Sequence, residues 1–154
     1  NSQSKANLYF MNYTNQLVLT GQIDDVGNRI KTNSGKSYRL GVELEDTRNL
    51  GNKISLYTNI TGSINKNKDF YYEYDGELKN FGNTDISFSP SLIGVISFNY
   101  EVLQNLDLSL NTKYISDQYI SNINSALSKL DSFILIESAD ATKLPFTKVI
   151  LIFL

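Results

Sequence analysis

The chain has 154 residues, 14 basic and 16 acidic, for a net charge of −2; it is the size of one domain and lacks the basic excess of a nucleic-acid binder. Cysteine and histidine are absent, which removes disulfide frameworks, thiolate zinc sites, cysteine nucleophiles and histidine-based triads together. No apolar run of about 18 residues occurs, so no transmembrane helix is readable. The mean hydropathy of −0.24 still suits membrane strands, in which only every second residue is apolar.

The first strand candidate runs from Ala6 to Tyr13 and is rich in aromatics, with Leu17 to Thr20 open as a continuation. Gly21 to Gly35 is polar and carries turn chemistry at Asp24-Asp25, Gly27-Asn28 and Asn33-Ser34-Gly35. A second strand, Lys36 to Glu45, alternates strictly: Tyr38, Leu40, Val42 and Leu44 against Ser37, Arg39, Gly41, Glu43 and Glu45. Asp46 to Asn52 is a tight connection. The third strand, Lys53 to Asn65, sets Ile54, Leu56, Ile60 and Ile64 against Ser55, Tyr57, Asn59, Thr61, Ser63 and Asn65. Lys66 to Ser89 is a long break without a sustained period. Pro90 precedes the fourth strand, Ser91 to Leu103, whose even positions (Leu92, Ile96, Phe98, Tyr100, Val102) are apolar apart from the small Gly94. Gln104-Asn105 makes a second tight turn into the fifth strand, Leu106 to Ile115. A polar connection from Ser116 to Lys129 follows.

Successive strand side chains point to opposite faces, so each segment has one apolar and one polar face. Strands of roughly 10 residues with this pattern, joined alternately by short and long connections, are the signature of a transmembrane β-barrel. The expected fold is therefore all-β, an antiparallel up-and-down meander of five or six strands forming part of such a barrel. A soluble β-sandwich, serving binding or adhesion with its apolar faces buried sheet-to-sheet, shares the period and stands as the alternative. Leu40, Val42, Ile54, Leu56, Ile60, Ile96, Phe98, Leu108 and Leu110 would form a lipid-facing belt. Arg39, Glu43, Glu45, Asn59, Asn99, Glu101, Asp107, Asn111 and Lys113 would line the other face. Tyr38, Tyr57, Phe98, Tyr100, Tyr114 and Tyr119 are candidates for aromatic girdles, and equally ordinary strand aromatics.

No catalytic group is readable. Asp24-Asp25 lacks a second catalytic partner and reads as a turn, and Gly21, Gly27, Gly35 and Gly41 do not have phosphate-loop spacing. The sharpest cluster is Asp69-Phe70-Tyr71-Tyr72-Glu73-Tyr74-Asp75-Gly76-Glu77. Its carboxylates do not follow the EF-hand pattern, so no metal is expected, and no cofactor. On an outward loop, Tyr71, Tyr72 and Tyr74 would offer rigid, amphipathic contact surface to a ligand; solvated loop is the plainer reading.

Four ordered phrases resemble the late barrel of TonB-dependent outer-membrane receptors, especially those of Bacteroidota. They are LYFMNYTNQLVLTGQIDDVGNRIKTN (Leu8–Asn33), SYRLGVELE (Ser37–Glu45), NTDISFSPSLIG (Asn83–Gly94) and LDLSLNTKYISDQYISN (Leu106–Asn122). The resemblance implies a bacterial outer-membrane location and a barrel of roughly 22 strands around a plug. It also implies energy-coupled uptake of a bulky ligand such as an iron chelate. Expected partners are outer-membrane lipid, the rest of the barrel and its plug, the TonB complex and the ligand; nucleic acid is not among them. On this reading residues 1–131 are a partial barrel within a longer protein, and 132–154, reading FILIESADATKLPFTKVILIFL from Phe133, are a divergent or truncated tail.

Overall fold

The computed structural model describes residues 2–23, 25–33, 35–74, 77–104, 106–142 and 148–153. In chain order the strands are β1 (Ser2–Thr14), β2 (Leu17–Ile23), β3 (Arg29–Asn33), β4 (Lys36–Leu50), β5 (Ile54–Lys68), β6 (Tyr71–Tyr74), β7 (Glu77–Asn80), β8 (Thr84–Asp85), β9 (Leu92–Leu103), β10 (Leu106–Ile115), β11 (Gln118–Tyr119), β12 (Lys129–Leu130), β13 (Phe133–Thr142) and β14 (Lys148–Phe153). Among the described residues one 3-10 turn, Ala126–Ser128, is capped by Ser125, whose hydroxyl accepts from the Leu127 N–H.

The main sheet follows the chain: β1-β4-β5-β9-β10-β13-β14, each neighbour antiparallel, with β8 added beside β5. The expected hairpins β4–β5 and β9–β10 are both present. The strands run further than the alternation alone suggests. β4 continues to Leu50, and the turn shrinks to residues 51–53, where Gly51 takes a φ of +73° that favours glycine. The segment from Phe133, expected as a divergent tail, extends the sheet along β10 from Leu106↔Thr142 to Ile115↔Phe133.

Register keeps one apolar face continuous across the sheet. Leu8 lies opposite Val42, Leu40 opposite Ile64, Leu44 opposite Ile60, Leu56 opposite Phe98, and Phe98 opposite Leu110. These side chains are left bare: Leu8 is 80 % exposed, Phe10 67 % and Ile60 48 %. No second layer covers this face among the described residues, whose buried hydrophobic side chains are Phe70, Tyr72 and Ile86. Phe70 and Tyr72 belong to β6 and the residue before it, so what packs as a core lies among the connections and not on the sheet.

The β4–β5 and β9–β10 hairpins join their strands at one end of the sheet, and the long connections leave from the other. The long connections are not featureless. They fold back as the hairpins β2–β3 and β6–β7 and the two-residue pair β11–β12. Strands of two to seven residues carry too little period to be read from sequence.

Candidate functional site

The polar face and the long-loop end hold the side chains that could meet a ligand. On the polar face, register sets charges and amides side by side. Lys5 Nζ donates to Glu45 Oε1 (2.8 Å), and Asn7 Nδ2 to Glu43 Oε2 (3.1 Å). Ser109 Oγ donates to Asn99 Oδ1 (2.7 Å), whose amide reaches Ser55 Oγ (3.5 Å), so three strands share one polar rung. Asp107 stands directly opposite Glu101 near the tight turns, next to a register shift at Leu106/Asp107. The lumen-type residues expected from alternation all lie on this face.

Tyr57 is a correction among the girdle candidates. It lies on the polar face, where its hydroxyl donates to Glu45 Oε2 (3.5 Å), because its odd register position excludes it from the apolar side. Tyr38, Phe98, Tyr100 and Tyr114 are on the apolar face, and Tyr119 belongs to β11 in a long connection.

Below the long connections an open recess of about 400 Å³ is lined by Tyr9, Met11, Arg39, Glu43, Phe88 and Pro90, among others. Arg39 Nη1 donates to Asn65 Oδ1 (3.0 Å) and to Ser89 Oγ (3.1 Å). Asn65 Nδ2 in turn donates to Ser63 Oγ (2.8 Å), and Ser63 Oγ to the Pro90 carbonyl (3.2 Å). This chain ties the segment Ser89–Ser91 to the wall. Phe88 at its rim holds a φ of +52°, a conformation bulky residues rarely adopt, while its N–H donates to the Tyr119 carbonyl (2.8 Å).

Above the recess, a buried amide cluster joins two long connections. Asn67 Nδ2 donates to Asn122 Oδ1 (3.1 Å) and Thr84 Oγ1 (3.2 Å), and the Ser87 N–H donates to Asn122 Oδ1 (2.9 Å). Asn124 adds a reciprocal pair with Asp85: it accepts from the Asp85 N–H (2.9 Å) and donates to Asp85 Oδ2 (2.8 Å). Asn67 and Asn122 are fully buried. Such amides are costly unless paired, so they fix how the connections meet. Farther along, Lys129 Nζ bonds Asp117 Oδ2 at 2.9 Å. That hydrogen bond and charge hold the Asp117 carboxyl below its usual range and Lys129 above its own.

Of the three tyrosines singled out, Tyr71 is exposed (53 %), whereas Tyr72 is buried (9 %), its ring parallel to Phe70 at 6.4 Å and packed by Phe81 and Ile123. Tyr74 lies in β6 with its side chain outside the described residues, as do Asp24, Asp75 and Gly76. The period-two rule in a four-residue strand turns neighbouring tyrosines to opposite sides. The amide cluster and the Arg39 recess have no signal in the alternation, which assigns Arg39 to a face but says nothing of what closes over it.

An antiparallel meander with one bare apolar face, one polar face and all long connections at one end is a stretch of β-barrel wall. The chain is similar to the crystal structure of the siderophore receptor PiuA from Acinetobacter baumannii, with a TM-score of 0.72, 17 % identity, and coverage of 94 % of this chain and 20 % of that one. It thus spans about a fifth of that receptor's length. No protein-family model and no curated protein sequence matches the chain.

Proposed function

We propose that the chain forms part of the barrel of a TonB-dependent receptor in a bacterial outer membrane, contributing wall and outward loops, with no catalysis, to uptake of a bulky ligand such as an iron chelate. The observation that carries this is the continuous apolar face, bare from β1 to β13, backed by a polar face. Exposed apolar area on this scale is unfavourable in water and suits lipid. The fold of a siderophore receptor supports the same reading. In this arrangement the tight turns face the periplasm and the long connections face outward. The rest of a barrel, its plug and the TonB complex are the partners.

Tyr71 offers its ring to the ligand from the exposed side of the β6–β7 hairpin, and Tyr72 supports that hairpin from within. Tyr74 is retained as a third contact. The first test is physical. The chain is expected in the membrane fraction, resistant to alkaline carbonate and released by detergent; a chain that stays monomeric in plain buffer would instead favour the soluble sandwich. The second test is binding of ferric hydroxamate and catecholate chelates. Tyr71→Ala should weaken binding and leave the protease resistance of the hairpin unchanged, whereas Tyr72→Ala should loosen the hairpin. Unchanged chelate binding in a Tyr71→Ala, Tyr74→Ala double variant removes both from the ligand site.

A further inference from the structure

Arg39 is a half-buried cation whose guanidinium is only partly used. On the polar face it stands between Met11 of β1 and Asn65 of β5. Both of its hydrogen bonds, to Asn65 Oδ1 (3.0 Å) and Ser89 Oγ (3.1 Å), leave from Nη1. That nitrogen has no hydrogen left to donate. Nε and Nη2 have no hydrogen-bond partner among the described residues. None of the ion pairs among those residues involves Arg39 either, whereas Lys5, Arg48, Lys66 and Lys129 each have an acid beside them.

Arg39 lines the open recess of about 400 Å³ under the segment Ser89–Ser91. Along β4 the recess runs from Arg39 past Gly41 to Glu43, about 14 Å at about 3.4 Å per residue. Tyr9 lies opposite Gly41, and its ring fills the space that a side chain there would take, so an aromatic ring floors the middle. Glu43, at the far end, accepts from Asn7 Nδ2. The two ends carry opposite charge, so an anionic group is favoured at the Arg39 end. Tying Ser89 and Asn65 to the wall occupies Nη1 alone. The Nε–Nη2 edge is the one that grips a carboxylate by two parallel hydrogen bonds.

We propose that Arg39 binds a carboxylate of the ligand, which enters the recess and meets Nε and Nη2 beside the ring of Tyr9. This rests on the receptor reading above and deepens it by naming the ligand class: a carboxylate chelate, in preference to a hydroxamate. In a carboxylate chelate the oxygens not bound to iron remain as acceptors for the guanidinium. In a hydroxamate chelate the metal takes both oxygens of each group.

The test titrates the full chain in detergent micelles with ferric rhizoferrin, a hydroxycarboxylate chelate, and with ferrichrome, a neutral hydroxamate chelate. Ferric rhizoferrin should bind more tightly. Arg39→Gln should weaken its binding about 10- to 100-fold, the range of hydrogen bonds to a charged group. Arg39→Lys keeps the charge without the planar fork and should recover only part of the loss. Lys113→Gln removes a cation from the same face opposite Val95, outside the recess, and should leave binding unchanged. Ser89→Ala removes the tie to Nη1 while keeping the guanidinium, and should also leave it unchanged. A loss in Ser89→Ala as large as in Arg39→Gln makes Arg39 a tie for the connection and overturns the proposal. Unchanged ferric rhizoferrin binding in Arg39→Gln, or tighter binding of ferrichrome by the unaltered chain, overturns it too. Each of these results leaves the receptor reading standing. If the unaltered chain binds neither of these chelates nor a catecholate one, the uptake reading falls and the carboxylate site with it.

Discussion

Arginine at Ile60 and at Thr61 separates the lipid-facing and lumen-facing sides with a one-residue step. Ile60 sits on the apolar face opposite Leu44 and Gly94, 48 % exposed. It is four residues from Ile64, about 14 Å along the strand, or about 10 Å along the normal for a strand tilted near 45°. In an apolar band about 25 Å tall this is close to the middle, where an arginine costs about 2–4 kcal/mol. At about 1.4 kcal/mol per factor of ten, Ile60→Arg should lower the folded-to-unfolded ratio about 30- to 700-fold. Thr61 faces the polar side directly opposite Glu43, so Thr61→Arg gains a carboxylate neighbour and should cost well under 1 kcal/mol. The assay is urea unfolding in phosphatidylcholine vesicles, followed by tyrosine fluorescence. Equal midpoints for the two variants would refute the assignment of faces to lipid and lumen. A larger loss at Thr61 would invert it.

Other perturbations read particular contacts. A Cβ at Gly41 would press against the tip of the Tyr9 ring, so Gly41→Ala should cost about 1 kcal/mol. That cost should vanish in a Tyr9→Ala background, and additivity in this double-mutant cycle would rule out the contact. Asn122→Ala removes one acceptor of the Asn67 amide, which keeps Thr84 Oγ1, and leaves the Ser87 N–H without its Asn122 acceptor, a cost of about 1–3 kcal/mol. It should open the connections 69–91 and 116–132 to protease while β4–β5 stays resistant; uniform resistance would count against the cluster as their joint. Asp117 is held low by Lys129, so this pair contributes fully above the ordinary carboxyl range, and its contribution is lost as pH falls through the lower, folded value. Lys129→Gln should move the Asp117 carboxyl midpoint upward in an NMR titration, and an unmoved midpoint would remove the pair as its cause.

The period of two and the alternation of short and long connections determined the meander, its hairpins and the side of the sheet on which Leu40, Ile60, Glu43 and Asn99 lie. Register can slip by one residue only by turning every side chain to the other face, so a chain with one apolar face has little freedom in pairing. Tertiary structure decided what alternation cannot encode. β13 reads as sheet because β10 presents a full row of partners, not because its own pattern differs from a tail. Tyr71 and Tyr72 are alike in sequence, and only the packing of Phe81 and Ile123 separates an exposed ring from a buried one. Asn67 and Asn122 are 55 positions apart and meet because two long connections close over the same end of the sheet. Local pattern fixes which way a side chain points; which distant backbone comes to cover it depends on contacts that no single segment contains.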